Sequence, residues 1–160
     1  MLNISHLTSS ELLALHARIA GELVKRKITR SYNNPAGDLA EYLFCKAFGW
    51  HQKDKSNAHF DAIAQDGTKY EIKGRRITPA NKSRQLGALR DLKGAHFQYL
   101  AGVLFDENYG VMRAAIIPRA VVERAPFVER TNSHRFLLRD DVWNAEGVRD
   151  VTAELRAVDL

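Results

Sequence analysis

The chain has 160 residues, 45% hydrophobic and 27% charged, which fits one globular domain (residues 1–160) with a real core and leaves no room for a second. Its single cysteine, Cys45, excludes an internal disulfide and a thiolate-rich zinc centre, so any metal must sit on oxygen or imidazole. A net charge of +5 favours a polyanionic partner, while the lack of a long apolar run or a secretory signal pattern argues against a membrane and for the cytoplasm.

The first predicted helix, about residues 9–27, opens with a capping-box pair, Thr8 and Glu11, and aligns Leu12, Leu15, Ile19 and Leu23 on one face. Lys25, Arg26, Lys27 and Arg30 close it and complement its dipole. Asn33-Asn34-Pro35 breaks the chain, and Pro35 suits the first turn of a second helix that stops at Gly49. From Trp50 the periodicity becomes extended. Residues 60–65 and 68–73 read as paired strands around Asp66-Gly67. Between Lys73 and Lys93 seven basic residues face one acid, Asp91, which makes this segment either a phosphate-contacting surface or a solvated loop and helix face. A short helix is expected over 83–92. Residues 97–105 form a nearly continuous apolar strand, a pattern that implies burial on both faces. Residues 106–110 turn the chain, and a second strand over 111–117 is stopped by Pro118. The extension 118–160 should hold one or two helical turns over 119–124, a strand over 135–138, and helical stretches near 140–144 and 148–158. This order predicts an α/β fold, a central mixed sheet flanked by helices.

The turn at Gly67 decides what the hairpin can do. A two-residue loop pairs Gln65 with Thr68 and throws Asp61 and Glu71 onto different faces. A three-residue loop with Gly67 left-handed pairs Ala64 with Thr68, and so Asp61 with Glu71; Gln65-Asp66-Gly67-Thr68 suits this form. Lys73 then shares the face of Glu71, and Tyr70 and Ile72 take the other. Two carboxylates set side by side repel, and such a pair usually holds a cation. Mg²⁺, with Mn²⁺ as a substitute, fits Asp61, Glu71 and the Ile72 backbone carbonyl. Lys73 would orient or deprotonate the attacking water or stabilise the transition state, and the spacing does not separate these roles. The plain alternative is an exposed strand pair, Glu71 and Lys73, beside a solvated Asp61.

These residues resemble the PD-(D/E)xK nuclease superfamily. The match is Phe60-Asp61, nine residues, then Glu71-Ile72-Lys73, with phenylalanine where the name-giving proline would stand. The resemblance spans about 35–117 and implies a restriction-endonuclease-like core. It also implies an acid on the helix before the sheet, for which Glu41, at the margin of that helix's apolar arc, is the natural choice. Asp38, in the first turn, suits the helix dipole instead. Gln85 resembles the helix-borne glutamine of some members, although no tyrosine follows at their usual spacing. His59 shares the strand face of Asp61 and is a lesser candidate to touch metal or substrate, the alternative being a surface histidine.

The resulting expectation is a Mg²⁺-dependent endonuclease acting on DNA, with Asp61, Glu71, Lys73 and Glu41 at its centre and Arg75, Arg76, Lys82 and Arg84 gripping the backbone. A homodimer would suit double-strand cleavage. A non-catalytic nucleic-acid-binding or regulatory module on the same fold, and an RNA-directed nuclease, are the alternatives.

Overall fold

The computed structural model describes residues 3–54 and 59–160. The capping box at Thr8 forms as the sequence implies: Thr8 N–H donates to the Glu11 carboxylate at 2.8 Å, and Glu11 N–H to the Thr8 hydroxyl at 3.3 Å. It starts α1 (Ser9–Lys25), which has no buried residue; Leu13 is 71% and Ile19 51% exposed. The apolar stripe of α1 is therefore real but covers no core. Next, α2 (Ala36–Phe48) begins behind Pro35, ends at a left-handed Gly49 (φ 65°), and buries Leu39, Ala40, Leu43 and Phe44.

Six strands follow in one sheet: β1 (His51–Gln52), β2 (Ala62–Ile63), β3 (Lys69–Arg76), β4 (Tyr99–Phe105), β5 (Val111–Pro118) and, after an excursion, β8 (Arg149–Asp150). Their spatial order is β1-β2-β3-β4-β5-β8, with β3 and β4 parallel and every other neighbour pair antiparallel, so the sheet is mixed. The excursion holds α3 (Arg119–Val122) and a separate ribbon of β6 (Phe127–Val128) with β7 (Ser133–His134); α4 (Thr152–Arg156) closes the described chain.

Apolar packing covers both faces of the sheet. Ile72, Ala101, Val103 and Phe105 pack with α2 and with Leu155 of α4, while Leu100, Leu104 and Ile117 pack with Leu86, Leu89, Phe136 and Leu138. Alternate residues of β4 thus enter different cores, which is why that strand is apolar throughout. Gly74 allows α2 to approach: a Cβ there would lie 2.6 Å from the Ala36 carbonyl oxygen and 2.9 Å from the Ala40 Cβ. No helix among the described residues is long and apolar enough to cross a membrane.

Several elements differ from the sequence reading. Residues 83–92 are not helical. Their backbone bonds go outward to the C-terminal chain, Leu86 N–H to Phe136 O (3.0 Å), His134 N–H to Leu89 O (2.8 Å) and Leu138 N–H to Arg84 O (3.0 Å). Leu86, Leu89 and Leu92 are all buried along this course. Only Leu92–Gly94 forms a 3₁₀ turn, flanked by left-handed Asp91 (φ 51°) and Ala95 (φ 52°). The strand expected over 135–138 is instead β7 with a single bridge at Leu137, and the first hairpin arm shortens to Ala62–Ile63. Residues 140–144 form a 3₁₀ turn, and the stretch 148–158 divides into β8 and α4.

Candidate active site

The hairpin between β2 and β3 closes through a three-residue loop. Ala64 N–H donates to Thr68 O at 2.8 Å, Gly67 N–H donates to Ala64 O at 3.0 Å, and Gly67 is left-handed with φ 87°. The Asp66 carboxylate accepts Thr68 N–H at 2.9 Å and stiffens the turn. The ladder pairs Ala62 with Tyr70 and Ile63 with Lys69. Asp61 stands one residue beyond it and spans the position of Glu71: its own N–H reaches Tyr70 O at 2.9 Å, and its carboxylate accepts Ile72 N–H at 2.7 Å. Glu71 in turn meets the Lys73 ammonium at 2.5 Å. Lys73 runs past Gly87, on the sheet face away from α2.

The third acid arrives from α2. Glu41 pairs with Arg30 and accepts a hydrogen bond from the Gln52 side-chain amide Nε2 at 2.5 Å. Arg30 also donates to Lys53 O at 2.7 Å. This corrects the reading of Arg30 as a helix-closing charge: α1 has ended by then, and the Asp38 carboxylate accepts Arg30 N–H (2.8 Å) and Ser31 N–H (2.9 Å), which turns the arginine inward. Asp38 therefore positions Arg30 in addition to sitting in the first turn of α2.

Charge at this centre is unbalanced toward the negative. Burial pushes the Glu71 carboxyl above its ordinary range; Lys73 opposes this, but the charges of Asp61 and Glu41 add to it. Burial likewise raises Glu41, with Asp61 adding to the effect against the pull of Gln52 and Arg30. Burial works against the Lys73 ammonium, but Glu71, Asp61 and Glu41 more than offset it, so its pKa is raised and the ammonium persists at neutral pH. Cys45, on the same helix, is pushed up to about 12 by burial and by Glu41, which disfavours the thiolate at neutral pH.

No protein-family model and no curated protein matches the chain.

Among the described residues no group of three His, Cys, Asp or Glu side chains could hold an ion alone. A divalent cation at this centre would have to draw on Asp61 and Glu71, two carboxylates, and take the rest of its shell from backbone, water or substrate oxygen. The mutual repulsion of the three acids is the physical demand that such a cation would meet.

A stability test follows from the sign of the Glu71 shift. Its folded pKa is raised, so near pH 4.5 and above the folded state holds the proton longer than the unfolded state, and stability declines as pH rises toward the folded pKa. Glu71→Gln should accordingly raise the melting temperature of the metal-free protein at neutral pH and flatten its pH dependence, while removing any stabilisation by added Mg²⁺. Thermal melts at pH 5.5 and 7.5 with and without Mg²⁺ check this; a metal-free variant that melts lower at pH 7.5 than its parent contradicts the assignment.

The basic residues divide. Arg75 shares the Lys73 face and donates to Ser83 O at 3.2 Å; Lys82 is exposed; Arg84 pairs with Asp140 at 2.8 Å. Arg76 is not brought to this face. By strand alternation it points to the α2 side, where it donates to Glu107 O at 3.0 and 2.6 Å and lies 4.5 Å over the Tyr109 ring. Gln85 accepts from Arg135 at 2.8 Å and is not on a helix. His59 stacks on His96 with ring centroids 4.3 Å apart. Arg30, Gln52, Asp91 and His96 are the residues that sequence reasoning missed. A helix over 83–92 would have left Asp91 at its end with no defined course to His96.

Proposed function

We propose that this chain is a Mg²⁺-dependent nuclease that hydrolyses phosphodiester bonds in DNA, on a restriction-endonuclease-like core of the PD-(D/E)xK kind. The observation that carries the reading is the three-residue hairpin loop, which sets Asp61 across Glu71 and leaves Lys73 ion-paired beside them. Glu41, approaching from α2 and sensed electrostatically by both Asp61 and Glu71, supports it.

Asp61, Glu71 and the Ile72 carbonyl would hold the ion. When bound, Mg²⁺, or Mn²⁺ in its place, supplies Lewis acidity toward the phosphate and makes water a better nucleophile. Lys73, kept charged by its three acidic neighbours, places positive charge where the pentavalent phosphorus gains negative charge. This favours an electrostatic role for Lys73 over that of a base. Arg30 and Gln52 fix Glu41, which orients the water on the α2 side. Arg75, Lys82 and Arg84 present cations along the chain that leaves β3, suited to phosphates on either side of the cut bond. A cytoplasmic location and a homodimer, with two centres addressing antiparallel strands, agree with a duplex substrate.

Supercoiled plasmid, single-stranded DNA and RNA, each incubated with Mg²⁺ or Mn²⁺ and then with chelator, test the assignment. Nicking or linearisation of plasmid that stops on chelation is the expected result. Binding without cutting on every substrate replaces the enzyme with a nucleic-acid-binding module, and cutting confined to RNA replaces the substrate.

A further inference from the structure

A cavity of about 270 Å³ adjoins the Glu71–Lys73 pair, and His59, Asp91, His96 and Phe97 help to wall it. At about 30 Å³ per water, it has room for a phosphodiester linkage and a few waters. His96 is anchored there: its Nε2 lies 2.7 Å from the Asp91 carboxylate, and its ring stacks on His59. The hydrogen bond with His96 holds the Asp91 carboxyl below its usual range, so Asp91 is the acceptor and Nε2–H the donor. That arrangement leaves Nδ1 for a second partner.

The backbone is shaped around this pair. Asp91 and Ala95 both adopt the left-handed conformation, uncommon for residues with side chains, on either side of the 3₁₀ turn Leu92–Gly94. Gly94 leaves room for the pair as it stands: a Cβ there would run into the ends of the His96 and Asp91 side chains, which would have to shift. Leu89 and Leu92 pin the segment to the core from below.

We propose that His96 is a further catalytic residue, the general acid that protonates the leaving oxygen of the phosphodiester, with Asp91 as its positioning residue. The inference rests on the hydrolytic reading above. In the step, a water oxygen forms a bond to phosphorus and releases its proton to solvent. The bond from phosphorus to the leaving oxygen breaks, its electron pair stays on that oxygen, and the oxygen takes the proton from His96 Nδ1; solvent reprotonates the ring. The Lys73 ammonium is already engaged by Glu71, and of the two stacked rings His96 is the anchored one. The charged and titratable groups around it are Asp91 and Arg90 on its own segment, His59 from the chain before β2, and Glu71 and Lys73 from β3.

Single-turnover cleavage of a duplex oligonucleotide tests this in parent, His96→Gln, Asp91→Asn and Lys73→Met proteins, with a second set of duplexes carrying sulfur in place of the bridging oxygen at the cut, 3′ or 5′. General acid catalysis contributes about 10²–10⁴-fold, so His96→Gln should lose at least about 10²-fold on the oxygen substrate. It should regain most of that loss on the sulfur substrate, whose thiolate leaves without a proton, whereas Lys73→Met should not. Asp91→Asn should lose a smaller part of the oxygen-substrate rate than His96→Gln, and that part should likewise return on the sulfur substrate. His96 is partly exposed and its replacement should leave the melting temperature close to the parent value. A His96→Gln rate within twofold of the parent, or equal losses on oxygen and sulfur substrates, overturns the inference and leaves the nuclease reading standing. A parent protein that cuts nothing overturns both.

Discussion

Lys73→Met protein is expected to cleave plasmid about 10²–10³-fold more slowly than its parent while still binding Mg²⁺, the cost typical of removing one preorganised charge from a transition state. Glu71 holds the ammonium at 2.5 Å, and Asp61 and Glu41 reinforce it. A raised lysine pKa means that the charge, and the stability it contributes, is fully present below the unfolded value of 10.5 and is lost only as pH rises through the folded value. The cleavage rate should consequently show no Lys73 titration between pH 6 and 9. Lys73→Arg, which keeps the charge but cannot act as a base, should retain more activity than Lys73→Met. Equal inactivity of the arginine and methionine variants, with an acidic limb in the parent that vanishes in both, would assign Lys73 the base role instead.

The second large effect is structural. Gly74→Ala places a methyl group against the Ala36 carbonyl, the Ala40 Cβ and the Phe105 ring, at 2.6, 2.9 and 3.1 Å. Two of these three contacts are backbone or a helix Cβ, so no flexible side chain can yield to relieve the first pair. Overpacking of this kind costs about 1–3 kcal/mol, and each kcal/mol shifts melting by about 2–4 °C in a domain of this size. Because the displaced element is α2, Glu41 should move away from Asp61 and activity should fall with stability. Urea denaturation monitored on Trp50, which stacks on Tyr70 of β3 with centroids 3.6 Å apart, reads the transition. A variant within about 0.5 kcal/mol of the parent would show that α2 can shift along the sheet without loss.

The sequence was most legible where local chemistry and tertiary structure agree. Asp66-Gly67-Thr68 dictates a left-handed glycine and with it the register that gathers Asp61, Glu71 and Lys73. The unbroken apolar run in β4 announces two covered faces. Legibility failed where partners lie far along the chain. Residues 84–89 bond to residues 134–138, and no local pattern reveals that pairing. Arg30 sits beyond a basic helix end, where a dipole role is sufficient, and only Asp38 on the next helix shows that it turns inward. For α1, periodicity identified an apolar face but carries no information about what covers it.

Those bonds between residues 84–89 and 134–138 also order events during synthesis. The hairpin with Asp61, Glu71 and Lys73 can form as soon as β3 has emerged, whereas the segment leading to Asp91 and His96 lacks its backbone partners until some fifty more residues have left the ribosome, about 2.5–10 s later at 5–20 residues per second. A chain still tethered to messenger RNA would thus carry the hairpin acids Asp61 and Glu71 without a finished wall opposite them, and truncation before residue 134 should leave that wall unanchored.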